Sequence, residues 1–214
     1  MLFDKIFKKS YYFGARIFIS FVFFIKEYIK LESEKELLDD IFRGSRDAMH
    51  RLYERYVGHA MAVALRYVPL REDAEDVVQD SFIKVFAAIP NFQYRGEGSL
   101  KGWLLRIVVN EAITCVRQKN RLTLVEDFPD EPMDEEPPVE KIPPAELTKM
   151  IGELPDGYRL VLNMYVFEQL SHKEIALRLG IQESSSASQY LRAKKLLARK
   201  INDYLSKLNE KEYE

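Results

Sequence analysis

The sequence predicts an all-α protein: two small helical domains joined by an acidic, proline-rich linker, the second domain carrying a helix-turn-helix. Three observations lead there. Apolar residues recur at intervals of three and four instead of alternating, which is the helical period. The pattern S-x-x-E occurs at Ser33–Glu36 and Ser171–Glu174, a capping box that pairs orphan backbone donors at a helix start. Finally, charge and proline concentrate in one stretch. Residues 126–146 hold nine acids, one lysine and six of the nine prolines, a local net charge of −8 in a chain of net −2.

Composition sets the outer limits. With 214 residues, 47 % of them hydrophobic and 31 % charged, the chain is globular, so wholesale disorder and a collagen-like repeat are excluded. The single cysteine, Cys115, excludes an internal disulfide. His50, His59, Cys115 and His172 are scattered without metal-ligand spacing, so neither a metal nor another cofactor is expected. No nucleophile, base and metal set converges, which disfavours an enzyme and a small-molecule substrate. A reduced, cytoplasmic protein is the reading that follows.

Residues 1–30 form an extension of their own. Tyr11–Ile25 is apolar apart from Arg16, yet shorter than the roughly 20 residues a membrane helix needs, and no small-residue cleavage site precedes Lys26. Either this extension anchors the chain to a membrane, or translation starts later, at Leu31.

The first domain spans 31–122. From Ala74, the residues Val77, Val78, Phe82, Val85, Phe86 and Ile89 mark one helical face, and Pro90 stops the helix. Its opposite face carries Asp73, Asp76 and Asp80 with Gln79 beside them, which suits either a solvated surface or a docking face. Residues 91–99 read as a loop holding Arg95, Gly96, Glu97, Gly98 and Ser99. The helix after it aligns Arg106, Asn110, Thr114, Arg117 and Arg121 in a polar, mostly basic row. Guanidinium groups so arranged suit phosphate oxygens, and a solvated basic face is the plainer alternative. Trp103, on the same helix, fits a core position or a base-stacking platform.

Residues 123–146 form the linker, because fixed φ angles, missing backbone donors and like charges prevent a core. In the last domain, 147–214, an apolar helix over Leu160–Phe167 precedes a short one from His172 to Leu179. Gly180 then makes the turn, and a final helix begins near Ser184 and runs to about Leu208. The small Ala176 lets the two helices cross closely. Ser185, Ser188, Arg192, Lys195 and Arg199 share one face, while Tyr190, Leu197, Ile201, Tyr204 and Leu208 supply much of the buried side. A hydroxyl-rich helix start running into a basic row is what major-groove docking requires.

In this order the pieces resemble a known family. Residues 73–92, DAEDVVQDSFIKVFAAIPNF, are similar to the segment of bacterial RNA polymerase sigma factors of the sigma-70 family that binds core polymerase. GSLKGWLLRIVVNEAI resembles their promoter-melting segment, and residues 154–197 resemble their helix-turn-helix. Two domains and a linker match the small extracytoplasmic-function (ECF) subfamily.

The resemblance implies roles. Asp73, Asp76, Gln79 and Asp80 would meet the clamp helices of the largest polymerase subunit, and the flap of the second-largest is a further implied partner. Arg95, Gly96, Glu97, Gly98 and Ser99 would capture a flipped base of the minus-ten element, with Trp103, Arg106, Asn110, Arg117 and Arg121 beside that strand. Ser184, Ser185, Ser186, Ser188, Gln189, Arg192, Lys195 and Arg199 would lie on the minus-thirty-five element. The acidic linker would follow the polymerase's RNA path. Implied partners are core RNA polymerase, promoter DNA and an anti-sigma factor, often membrane-bound in this family. Three positions depart from the common pattern: Ala187 stands where a basic residue is frequent, Ser186 where a packed valine is common, leaving Tyr190 and Leu191 to hold the helix, and Thr114 where an aspartate is common. A one-component regulator would use the same helix-turn-helix without explaining the Asp76–Asp80 face. A membrane-attached adaptor would use residues 1–30 and no DNA.

Overall fold

The structure, a computed structural model, describes residues 32–119, 138 and 142–212. Residues 1–30, Arg121 and most of the linker therefore lie outside the described residues. Among those described there are eight α-helices and no strand, and they form two compact units, one ending at Lys119.

The first unit comprises α1 (Glu34–Phe42), α2 (Arg46–Tyr67), α3 (Arg71–Ala88) and α4 (Ser99–Lys119). The Ser33–Glu36 capping box is formed in full at the start of α1, and the Ser45 side chain caps α2. Pro90 acts as expected: α3 ends at Ala88 and a 3₁₀ turn, Ile89–Asn91, follows. The face read from Ala74 onward is the core face. Ala74, Val77, Val78, Phe82, Val85 and Ile89 are buried, with Phe86 half-buried at its margin. Leu37, Leu52, Tyr67, Leu104, Val108 and Ala112 are buried on the other three helices. Apolar burial, at about 25 cal/mol per Å², supplies most of the stability of such amphipathic helices.

The second unit comprises α5 (Pro144–Gly152), α6 (Asp156–Val166), α7 (His172–Leu179) and α8 (Glu183–Glu212). It begins inside the stretch that composition assigns to the linker. Pro144 is tolerated in the first turn of a helix, where no intrahelical donor is needed, and the apolar Ile142 is buried in the core with Met150, Tyr158, Leu162 and Leu197. Arg159, also buried, donates to the carbonyls of Gly152 (3.2 Å) and Leu154 (2.7 Å), satisfying acceptors at the end of α5. The Ser171–Glu174 capping box is formed in full. Gly180 ends α7 in the left-handed conformation (φ 69°), and the N–H of Ile181 reaches back to the carbonyl of Ala176 (3.1 Å).

Leu208 and Leu191 depart from the expected pattern. They are 41 % and 49 % exposed, because the buried stripe of α8 runs through Ala193, Leu197, Ala198 and Ile201.

Candidate nucleic-acid interface

Three surfaces carry the expected site residues, two on the first unit and one on the second. On α3, Asp76, Gln79 and Asp80 are exposed and Asp73 is half-buried, so one helix face presents the three outer groups together. Ile83, 62 % exposed, continues that face at the next helical interval. Sequence reading passed over it, since a lone apolar residue on a polar face carries no signal until its exposure is known. Lys84 forms an ion pair with Glu111 and so ties α3 to α4.

The loop before α4 carries two residues in conformations that favour glycine, Gly96 (φ 113°) and Gly98 (φ 90°). Ser99 is turned back into this loop: its hydroxyl accepts from the N–H of Arg95 (3.2 Å) and donates to the carbonyl of Gly96 (2.6 Å). The Arg95 side chain is exposed. Glu97 is held on the protein side. Its carboxylate accepts from the N–H of Glu34 (3.2 Å) and from the Arg55 guanidinium (3.3 Å). These bonds fasten the loop, and the Glu97 side chain stays 48 % exposed.

Beyond the loop, Arg106, Asn110, Thr114 and Arg117 are all exposed along α4, so the row read from spacing is a surface row. The Thr114 hydroxyl donates to the carbonyl of Asn110 (2.9 Å). Trp103 is half-buried, its ring 4.9 Å from that of Phe92, which anchors the loop onto α4. Both of its expected uses remain compatible with this setting.

On α8, Ser184 and Ser188 are exposed, and the Ser188 hydroxyl donates to the carbonyl of Ser184 (2.9 Å). Ser185, Arg192 and Lys195 are half-buried and Arg199 is exposed. Ser186 requires a correction. It is 0 % exposed, with its hydroxyl 3.0 Å from His172 Nδ1, so it fastens α8 to the start of α7 and does not reach DNA. The helical period explains this, because Ser186 falls on the buried stripe that continues through Ala193 and Leu197. Gln189 turns inward as well: its Oε1 is buried and lies against Gly157 at the start of α6. Tyr190, beside Tyr165 (4.4 Å between ring centroids) and His172 (5.7 Å), completes an aromatic cluster that holds α6, α7 and α8 together.

Among the described residues no group of histidine, cysteine, aspartate and glutamate could hold a metal, and no helix is long and apolar enough to cross a membrane.

Comparison with known proteins covers both units. A family model described as Sigma-70 region 2 matches residues 52–122, and one described as Sigma-70, region 4 matches residues 145–197. The chain is 30 % identical over 177 residues to the ECF RNA polymerase sigma factor SigE of Mycolicibacterium smegmatis. That alignment covers 79 % of this chain and 62 % of the relative, so the chain spans less than two thirds of that longer protein. It is 28 % identical over 183 residues to the ECF RNA polymerase sigma-E factor of Haemophilus influenzae, covering 79 % of this chain and 95 % of that one. A solved structure of CnrH in complex with the cytosolic domain of CnrY aligns at 24 % identity and a TM-score of 0.43, over 80 % of this chain and 99 % of that chain. The loop and the α4 row fall within the region 2 match and α7 with the start of α8 within the region 4 match, and with these relatives the chain belongs to the ECF branch of the sigma-70 family.

Proposed function

We propose that this chain is an initiation factor that binds core RNA polymerase, recognises a bipartite promoter and opens the DNA at its downstream element. The observation that carries the reading is the pairing of two exposed surfaces with two family segments in order. The Arg95–Ser99 loop and the arginine row of α4 lie in the region 2 match, and the exposed start of α8 lies in the region 4 match.

Each surface has suitable chemistry. Flipping a base out of the duplex costs a few kcal/mol, which a loop pocket and a basic track along the separated strand offset. Arg106 and Arg117 supply that track, with Asn110 between them as a neutral donor. Ser184, Ser185 and Ser188 present hydroxyls where α8 would enter the major groove, and Arg192, Lys195 and Arg199 follow as phosphate contacts. The face of Asp76, Gln79, Asp80 and Ile83, acidic with an apolar edge, suits the clamp helices of the largest subunit, and the second unit would meet the flap. An anti-sigma factor as a partner and a cytoplasmic site of action complete the proposal. The polymerase performs the phosphoryl transfer, and this chain contributes no reacting group.

Co-purification with bacterial core RNA polymerase, followed by run-off transcription on fragmented genomic DNA, tests the reading. Stable capture with new start sites is expected. Failure of a folded chain to be captured would sink it and leave the stand-alone regulator as the better account.

A further inference from the structure

The side chain of Glu34 is 2 % exposed, although it belongs to the first turn of α1. Its carboxylate accepts four hydrogen bonds: from the backbone N–H groups of Gly98 (2.9 Å), Leu100 (3.0 Å) and Lys101 (3.1 Å), and from the Tyr56 hydroxyl (2.8 Å). The first N–H groups of a helix have no partner within it, and a nearby hydroxyl or carboxylate normally caps them. Here Ser99 is committed to the loop, so the cap of α4 comes from a residue more than sixty positions earlier in the chain. A negative charge at a helix N-terminus is also favoured by the helix dipole. Glu97 completes the arrangement in reverse, accepting from the Glu34 N–H and from Arg55. Two acidic side chains thus cross-cap the starts of α1 and α4 and enclose Gly96–Ser99 between them.

We propose that Glu34 is a positioning residue for minus-ten recognition: its carboxylate fixes the Arg95–Ser99 loop in the shape that receives the flipped base. This rests on the function proposed above. The need is physical. Two residues of the loop adopt glycine-favoured conformations, and glycine has the largest conformational freedom to lose, so beyond the internal bonds of Ser99 the loop gains order from partners outside it. Glu34 also lies outside the 52–122 segment that matches region 2, so the loop's shape depends on a residue beyond the segment that carries it.

The test uses the full-length chain. In Glu34→Gln an amide N–H₂ replaces one acceptor oxygen and faces backbone donors, so part of the cap is lost with little change in volume. Amide hydrogen exchange should quicken at Gly98, Leu100 and Lys101 and stay unchanged at α3. With core polymerase, a promoter found by the run-off experiment and randomised in its minus-ten element should be discriminated about tenfold less sharply. Capture by polymerase should not change. Tyr56→Phe, which removes one bond and keeps the carboxylate, should move both readouts the same way by less, and it serves if Glu34→Gln does not fold. Unchanged exchange, or transcription lowered equally on every minus-ten variant, would overturn the proposal. A wild-type chain that gives no start sites overturns the initiation reading itself, an outcome visible before any variant is made.

Discussion

Asp76, Asp80 and Arg192 allow the roles of the two units to be tested one surface at a time. Reversing charge in Asp76→Arg with Asp80→Arg should abolish capture by core polymerase while leaving the helical circular-dichroism spectrum unchanged, since both side chains are exposed. Capture at the wild-type level would remove the clamp assignment. Arg192→Ala should lower transcription only from promoters that retain the upstream element. Equal loss from a promoter lacking it would take Arg192 off the DNA. Ser186 is a contrasting case, because its hydroxyl meets His172 inside the unit. Ser186→Ala should cost about 1 kcal/mol of stability, the usual net value of one hydrogen bond, with upstream sequence preference retained. Calorimetry together with a promoter-variant panel would separate the two effects.

Helix ends dominate the behaviour of the elements. The α7–α8 turn depends on Gly180 at φ 69°, where a side chain is strained, so Gly180→Ala should destabilise the second unit by about 1 kcal/mol. A thermal midpoint equal to wild type would contradict the left-handed cap. Two carboxylates at helix ends of the same unit also titrate low. The Lys200 ammonium, bonded at 2.6 Å, holds Glu153 below its ordinary value of 4.5, and the Ser171 hydroxyl and backbone N–H do the same for Glu174 in the capping box. Both groups have depressed folded-state values, so the stability they add is present above about pH 4.5 and is lost as pH falls through the lower folded values. The double variant Glu153→Gln, Glu174→Gln should flatten the acid limb of that unit's stability profile, and a profile of unchanged steepness would show that other groups govern it.

Taken together, the two units should respond to pH from opposite sides. In the first, burial, and then the bond to the Glu34 carboxylate, push the Tyr56 phenol well above its ordinary value of 10.0. A raised folded value contributes stability that is complete below pH 10 and declines as pH rises toward the folded value, because only the unfolded chain has then released its proton. Unfolding followed above pH 10 should therefore weaken the first unit, and Tyr56→Phe should remove part of that decline. An alkaline limb identical in the variant would show that Tyr56 is not its cause. Each unit buries its own core, so acid and alkaline losses should appear in separate transitions.

Much of the architecture was legible because helices announce themselves locally. The three-and-four spacing from Ala74 to Ile89, the two capping boxes and Gly180 are short-range patterns, and each became the element it indicated. The exposed arginines of α4 and the acidic face of α3 followed from the same period, because a helix with one buried side must expose the other. Ser186 and Gln189 lie off the face that spacing gave, Ser186 four residues before Tyr190 on the side read as buried, and only the resemblance placed them on DNA; packing turns both inward. Spacing could not show that α5 begins within the proline-rich stretch, where Ile142 is recruited by a core made mostly of later residues. The Glu34 cap is the clearest case. Its donors lie far along the chain, and a surface-looking glutamate becomes a buried acceptor only once packing brings the starts of α1 and α4 together. Local periodicity determined which helices form and which residues they expose; tertiary packing, which alone joins groups distant in sequence, decided which polar side chains hold the fold and which are left for a partner.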